Sequence, residues 1–394
     1  MELKRSLGPV SLTLYGVGVT LGAGIYVLIG ETAGLAGSLT PVAFLIALFA
    51  ALMTSLSFAE LGGRYPMSAG EAVYVQEAFG LSWLSQLVGA TVVFTGLFSS
   101  ATVMQGFSGY AMTLFGAPQW LLIVIAAIAL TGLALWGVKE SVWSASLITI
   151  LEVGGLLVVI ALAAPKAISD PAPFVAAAPM GVLVAASVAF FAFIGFEDIV
   201  NMSEEVKEPG RNVPRAILAT MVIAGAIYMA IAFVAIRVVP PAELAASPDP
   251  MAELLRRAGH PGDEAISGIA IVAILNGALV NMLMAARVLY GMARKGLAPA
   301  ILASVNAARQ TPHVATVLVA GIVLVLALVF PLSGLARTTS FLTLCVFVLV
   351  NLALIFLRRK HQALFDVPIF RAPVWTPYLG VLAAGALAVS AVLG

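Results

Sequence analysis

Two short segments with helix-breaking residues interrupt otherwise apolar stretches of this chain. YGVGVTLGAGIYVLIG, at 15–30, contains four glycines within the nine residues 16–24, and AFFAFIGFEDIVNMSEEV, at 189–206, places Gly195 just before two acids. Glycine costs about 1 kcal/mol relative to alanine in a helix interior, so both segments predict a broken helix. A break frees backbone N–H groups, which attract a carboxylate, and carbonyl groups, which attract an ammonium group or a cation. A zwitterionic α-amino acid satisfies both kinds of group, whereas a simple sugar uses neither well.

Carboxyl groups in apolar surroundings are the second feature that could do chemistry. Glu152 lies within SLITILEVGGLLVVI, and Glu197 and Asp198 follow the second predicted break. Burial favours the neutral form of a carboxyl group, so these acids suit reversible proton binding or gating. The alternative for Glu152 is a structural hydrogen bond to a neighbouring helix.

The residue sets of common enzymes and metal sites are missing from the sequence. The three histidines, His260, His313 and His361, fall in predicted connecting segments without a second ligand at metal-binding spacing. The single cysteine, Cys345, leaves no disulfide framework or thiolate metal site. There is no phosphate loop or nucleophile elbow, and a net charge of +1 with scattered basic residues gives no nucleic-acid surface. We therefore expect no enzymatic activity, no cofactor, no metal and no nucleic-acid partner.

The elements that carry these residues are predicted to be membrane helices. Hydrophobic residues make up 61% of the 394 residues and charged residues 10%, against about 25% charged residues in a soluble domain. Apolar runs of about 20 residues recur, and each is long enough to cross a bilayer. The sequence predicts one all-α transmembrane domain over 1–394 with about eleven spans, near 8–30, 38–60, 82–114, 119–137, 142–164, 181–203, 213–237, 265–292, 314–331, 335–357 and 374–393.

The distribution of Lys and Arg predicts the orientation of the spans. With the N-terminus inside, fourteen of these residues lie in cytoplasmic segments and five in outer segments. Because cytoplasmic loops of membrane proteins carry the excess of positive charge, we expect a cytoplasmic N-terminus and a multi-pass protein of the inner (cytoplasmic) membrane.

Two connecting segments are longer than turns. Residues 61–81 predict a short helix on the cytoplasmic side. Residues 238–264 surround a predicted helix from Pro250 to Ala258, which suits either an external lid or a solvated connector. Solvated positions are also expected for Glu60, Arg64 and Glu71.

The two predicted breaks fall in the first and sixth spans. This spacing of five is where two inverted five-helix repeats, at about 8–164 and 181–357 with an extra helix at about 374–393, place equivalent elements. Paired interruptions of this kind are the best sequence indicator of a transporter's binding site. Unwound backbone at that depth is tolerated only where it lines a cavity or is buried in protein.

Four motifs in order resemble those of the amino acid–polyamine–organocation superfamily. They are GVGVTLGAGIYVLIG, RYPMSAGEAVYV, FFAFIGFEDIVNMSEEVKEPGRNVPRAI and ARVLYGMARKGLAP. The resemblance covers nearly the whole chain. It implies the LeuT-type fold of two inverted five-helix repeats with discontinuous first and sixth helices, alternating access, and amino acids or related amines as substrates. Members commonly have twelve spans, one more than predicted here.

The resemblance also implies roles for individual residues. Gly22, Ala23 and Gly24 would line the carboxylate end of the site, with Ala23 standing where many relatives have serine, and Ile25 is a further substrate-binding candidate. Phe191, beside Phe190, would close over the substrate, and the backbone of Ala192, Ile194 and Gly195 would surround its amino group. The remaining candidates would face the substrate, a coupling ion or a gate: Glu152 (lysine in some proton-coupled relatives), Glu197, Asp198, Asn276, Gly277 and Asn281, with Ser340 and Thr343 suggested by polarity alone.

The function expected from the sequence is secondary transport of amino acids, as a proton-coupled symporter or an exchanger. The predicted pocket is apolar and holds no secure second acid, so small or hydrophobic neutral amino acids are favoured. The alternatives are a sodium-coupled carrier or a carrier of cationic amino acids or amines, both of the same fold, and, in another class, a non-transporting amino acid sensor. The expected partners are the substrate and the lipid bilayer, with the chain as a monomer or homodimer.

Overall fold

The computed structural model describes residues 5–393 apart from 6, 23, 68–69, 137–141, 295, 307–308, 310 and 361–368, and leaves out the side chains of 142–146. The described residues form an all-α structure without a named strand. The helices are α1 (Pro9–Leu21), α2 (Gly24–Ala36), α3 (Thr40–Arg64), α4 (Gly70–Phe79), α5 (Ser82–Phe115), α6 (Gln119–Trp136), α7 (Val142–Ser169), α8 (Pro179–Phe190), α9 (Asp198–Asn201), α10 (Pro209–Val238), α11 (Pro241–Ala246), α12 (Pro250–Ala258), α13 (Asp263–Arg294), α14 (His313–Val329), α15 (Leu332–Lys360) and α16 (Thr376–Leu393).

The helices confirm the predicted all-α polytopic architecture. Within the described residues, nine helical stretches are long and apolar enough to cross a membrane. One of them, Pro9–Arg64, contains the first two predicted spans. The apolar helix His313–Val329, with 17 residues, is slightly shorter than the nine. When Pro9–Arg64 is counted as two spans and His313–Val329 is added, the nine stretches correspond to the eleven predicted spans. The boundaries of the proposed repeats stay a prediction.

Large apolar side chains cover the outside of the helix bundle. Trp120, Ile128 and Trp136 on α6 are 60%, 68% and 70% exposed, which suits a surface in contact with lipid. Inside, α5 packs along α13, α3 along α10, and α1 against both α7 and α10. Helices α7 and α10 thus flank α1 of the first interrupted span, and α3 packs against α8 of the second.

The two long connections contain the predicted short helices. The first forms α4, and the second forms α12 at the predicted residues together with α11, which the sequence did not predict. Met251, Leu254 and Leu255 of α12 are buried, so this helix is packed against the bundle and is not a fully solvated connector.

The solvated positions expected for Glu60, Arg64 and Glu71 are wrong. Glu60 is 0% exposed. Its carboxylate accepts hydrogen bonds from both the Arg358 side chain and the backbone N–H of Ala372. The Nε atom of Arg64 lies 3.6 Å from Oε1 of Glu60. The local sequence placed Glu60 near a loop. Helix α3 instead continues to Arg64 and directs Glu60 towards α15. Glu71 is 6% exposed and faces the interior.

We call the side of the bundle where α1 begins the N-terminal side. On this side a parallel backbone bridge joins the segment before α1 to the segment after α9: the Leu7 N–H donates to the Glu205 carbonyl at 3.0 Å, and the Lys207 N–H donates to the Leu7 carbonyl at 2.9 Å. The start of the first span is therefore tied to the end of the sixth.

Candidate functional site

The first predicted break lies between α1 and α2. Helix α1 ends at Leu21, the Gly22 N–H still donates to the Gly18 carbonyl at 3.1 Å, and α2 begins at Gly24. Ala23 lies outside the described residues. The first N–H groups of a helix have no partner in a preceding turn, so the start of α2, which includes the buried Ile25, can receive a negatively charged group.

The second predicted break lies between α8 and α9. Helix α8 passes at Phe190 into a 3₁₀ turn, Phe191–Phe193, after which Ile194 is extended with φ −67° and ψ 136°. Gly195 then adopts a φ of +126°, which residues with a Cβ rarely accept, and the helix resumes at Asp198. The glycine is thus required by the backbone conformation of the turn.

The two breaks lie in direct contact. A Cβ added at Gly24 would stand 2.4 Å from the Cα of Ala192, and one added at Gly195 would stand 3.0 Å from the carbonyl carbon of Val19. Any larger residue at either position would force the two backbone segments apart. The glycines that weaken each helix therefore also allow the backbones to touch.

Tyr228 of α10 connects the two breaks through a single hydroxyl group. Its oxygen lies 2.6 Å from the Thr20 carbonyl in the last turn of α1 and 2.8 Å from the Ala192 carbonyl in the 3₁₀ turn. The hydroxyl has one proton, so it donates to one carbonyl at a time. The sequence analysis missed this residue; its only signal was a tyrosine within an apolar span, where a buried hydroxyl needs a partner.

Glu197 stabilises the second break from within. One oxygen of its carboxylate accepts the Gly195 N–H at 2.8 Å, and the side chain is 9% exposed. This bond satisfies a donor that the interrupted helix leaves unpaired. The predicted gating acid therefore also holds the shape of the turn.

A small cavity of about 50 Å³ lies beside the second break, and we call it the break cavity. It brings together four of the predicted site residues and the weaker candidate Thr343. Its described lining is Glu71, Val92, Thr95, Gly96, Ile194, Glu197, Asp198, Asn281, Met284, Thr343, Val346 and Phe347. The Asn281 side chain donates to the Ser99 hydroxyl at 3.1 Å, which holds its amide at the wall contributed by α5 and α13.

Other predicted residues lie outside this described lining. Phe190 is fully buried and packs on Phe347 with ring centroids 5.7 Å apart, so it stands behind the wall of the cavity. Phe191 is 4% exposed at the start of the 3₁₀ turn. Asn276 is half-buried on α13, about one turn before Asn281, with Gly277 next to it. Ser340 is buried on α15, and its hydroxyl has no hydrogen-bond partner among the described residues.

Glu152 occupies a separate position on α7. Its side chain is 0% exposed, and neither carboxylate oxygen has a hydrogen-bond partner among the described residues. The Tyr26 hydroxyl of α2 donates to the backbone carbonyl of Glu152 at 3.3 Å. The buried hydroxyl of Thr20, in the last turn of α1, also lacks a partner in the described part of the chain. A fully buried carboxyl group without a donor is stable only in its neutral form or with a bound cation.

The segment that contains α11 and α12 covers the opposite side of the bundle. A second cavity of about 200 Å³ lies beneath it, with Tyr26, Glu31 and Tyr110 in its lining. The Tyr110 hydroxyl donates to the Tyr26 carbonyl at 2.9 Å and accepts the Met251 N–H at 3.3 Å, which links α12 to the first break.

A group of charged side chains stabilises α12. Arg256 donates to both carboxylate oxygens of Asp249, at 2.8 and 3.1 Å, and also contacts Glu253 and Asp263. Asp249 first, and then Glu253, raise the pKa of the Arg256 guanidinium, although burial acts in the opposite direction. The segment is therefore built as a folded cover over the second cavity.

Comparison with known proteins adds a sequence relationship to this geometry. The family model described as "Amino acid permease" matches residues 7–393. The branched-chain amino acid permease BcaP of Bacillus subtilis is 30% identical over 94% of this chain and 84% of its own length. The methylthioribose transporter of the same organism is 28% identical over 98% of this chain and 87% of its own length. The vacuolar cationic amino acid transporter 2 of Arabidopsis thaliana is 30% identical over 91% of this chain and 60% of its own length.

Proposed function

Because this chain belongs to the amino acid permease family, we propose that it is a secondary transporter that carries amino acids across the cell membrane by alternating access. The observation that supports the proposal most directly is the contact between the two breaks, where Gly24 meets Ala192. Freed N–H groups at the start of α2 offer a site for the substrate carboxylate. Freed carbonyl groups around Ile194 offer a site for its amino group. The N-terminus is proposed to be cytoplasmic, as the distribution of Lys and Arg predicts.

Neutral amino acids with small or hydrophobic side chains are the proposed substrates. The buried side chains of Ile25 and Phe191 make the surroundings of the two breaks apolar, and Glu197 is engaged with the Gly195 N–H. The branched-chain permease among the relatives fits this choice. The methylthioribose and cationic amino acid transporters among the relatives define the alternative substrates to be compared. In proteoliposomes, unlabelled alanine or valine should compete with labelled leucine, and lysine should not; competition by lysine alone would favour the cationic class.

Proton coupling is the proposed energy source. A fully buried Glu152 without a donor suits a group that gains and loses a proton as the site opens to each side. Leucine uptake should increase with a pH gradient that is acidic outside, and a sodium gradient at equal pH should have no effect. Stimulation by sodium at equal pH would contradict proton coupling. Leucine that binds to the purified protein but never accumulates in liposomes would instead favour a sensor.

The role of Glu152 is tested by its conversion to glutamine. Glu152→Gln keeps the size of the side chain but cannot ionise, so the pH dependence of uptake should be lost. The matched control is Glu264→Gln, an exposed acid in the first turn of α13. A wild-type pH profile in the Glu152 variant would remove this residue from the coupling mechanism.

A further inference from the structure

Three carboxyl groups from two parts of the chain face the break cavity. Glu71 projects from α4, whereas Glu197 and Asp198 come from the turn of the sixth span. Their residues are 6%, 9% and 7% exposed. Two of these acids were predicted from the sequence as coupling or gating residues, whereas Glu71, in a connecting segment, was expected to be solvated.

The partners of the three carboxyl groups differ. Glu197 accepts the Gly195 N–H at 2.8 Å, and Asp198 accepts a weak hydrogen bond from Asn201 at 3.4 Å. For Glu71, the described part of the chain provides only its own backbone N–H. Its carboxyl group is thus buried in the cavity wall without a donor from any other described residue.

No cationic side chain compensates these acids within the described lining of the cavity. Helices α5, α13 and α15 contribute Thr95, Asn281 and Thr343 as polar groups, and none of these titrates. The Thr343 hydroxyl is already used, since it donates to the Thr339 carbonyl at 3.0 Å. On α4 itself the neighbouring titratable groups are the buried Tyr74, one turn away, and the exposed Glu77.

Among the described lining residues nothing offsets the charge of these acids, so a proton or a cation inside the cavity would have to do so. Three neighbouring carboxyl groups cannot all ionise in a buried site. With about 50 Å³ the cavity has room for a few water molecules, at roughly 10–15 Å³ each, and no room for an amino acid. In the described part of the chain no group of acids is arranged to hold a metal ion.

We propose that Glu71, Glu197 and Asp198 form a proton-binding site between the break of the sixth span and the N-terminal side of the bundle. The site is separate from Glu152 and makes Glu71 a proton-binding residue of this protein. The proposal extends the proposed proton-coupled transport, but its test below does not require transport. When the site holds its protons, α4 can pack against the turn of the sixth span. When it is ionised, repulsion between like charges weakens that contact.

The pKa of Glu71 supports this assignment. Burial raises it from 4.5 to about 7, whereas the hydrogen bond to its own backbone N–H acts in the opposite direction. The folded state therefore holds a proton between these two pH values that the unfolded state has released. Stability should consequently fall as the pH rises from about 4.5 to about 7, with the full penalty present above that range.

Thermal unfolding of the purified full-length protein tests the site. The wild-type melting temperature should fall between pH 5 and pH 8. Glu71→Gln should melt close to the wild type at pH 5 and above it at pH 8, because glutamine carries no charge to bury. Glu77→Gln, on the exposed face of the same helix, should keep the wild-type dependence. An unchanged pH dependence in Glu71→Gln would overturn the proposal.

Two further measurements keep the proposal open to refutation even if Glu71→Gln does not fold. Infrared difference spectra of the wild type between pH 5 and pH 8 should contain a carboxylic acid band that shifts in Glu71→Asp; an identical band in the two proteins would overturn the assignment. Sodium or potassium chloride at pH 8 should leave the wild-type melting temperature unchanged relative to choline chloride. Specific stabilisation by either metal ion would identify a metal site and overturn the proton site.

None of these measurements involves substrate. A failure of the proposed transport function would leave their expected results in place, and normal transport would not rescue a negative result.

Discussion

At the scale of single residues, Tyr228 has the most specific structural role. Its hydroxyl lies within hydrogen-bond distance of one carbonyl from each broken helix, while its ring packs on Phe193 and Phe44 at 5.0 and 6.1 Å. Tyr228→Phe keeps the ring and removes the donor. Leaving a buried carbonyl without its donor costs about 1–3 kcal/mol, so the free energy of unfolding should fall by that amount.

Denaturant unfolding of the purified protein measures this loss. The control is Tyr378→Phe, because Tyr378 is 43% exposed on α16 and water can replace its hydrogen bonds. Uptake should also decrease in the Tyr228 variant, since the two breaks would no longer share a donor. Equal stability of the two variants would contradict the role given to this hydroxyl.

At the scale of helices, the closest backbone contact is the one most sensitive to substitution. In Gly24→Ala the new Cβ would lie 2.4 Å from the Cα of Ala192, which requires the breaks to move apart. We expect uptake to be lost, with a destabilisation of about 1–3 kcal/mol from overpacking. Gly89→Ala in α5 is the matched control, because no atom lies within 4 Å of its added Cβ.

The comparison of these two variants separates site geometry from helix propensity. Both replace a helical glycine by the best helix former, so propensity alone would stabilise both. Equal uptake by Gly24→Ala and Gly89→Ala, measured in proteoliposomes at matched protein content, would contradict the importance of the contact between the breaks.

Local sequence patterns predicted the helices and the position of both breaks, because apolar runs and glycines act over a few neighbouring residues. The same patterns could not predict Tyr228, Glu60 or Glu71. The role of each depends on which face of its helix meets another element, and that face is set by packing between segments far apart in the chain. The contact of Glu60 with Arg358, for example, joins residues of α3 and α15.

At the scale of the whole molecule, the two broken helices are connected at two places. They touch at the breaks, and the backbone bridge between Leu7 and Lys207 ties their ends on the N-terminal side. We infer that these halves of the first and sixth spans move together during transport. A separate hinge of α1 would have to break both hydrogen bonds of the bridge.

Cross-linking tests this common movement. Paired strands lie about 4.8 Å apart, which is within the range that a disulfide spans. In a Cys345→Ala background, oxidation of the Leu7→Cys, Val206→Cys protein should leave uptake unchanged. Loss of uptake on oxidation, with recovery in reductant, would indicate that the two segments must separate.

The backbone bridge also has a consequence for natural variation. Its two hydrogen bonds use only main-chain atoms of Leu7, Glu205 and Lys207, so the bonds themselves place no demand on side-chain identity at these positions. Proline at position 7 or 207 is the exception, because it has no N–H to donate. A saturation library at the exposed position 207 should therefore tolerate many substitutions but be depleted of proline, so the backbone bridge can persist while this residue changes.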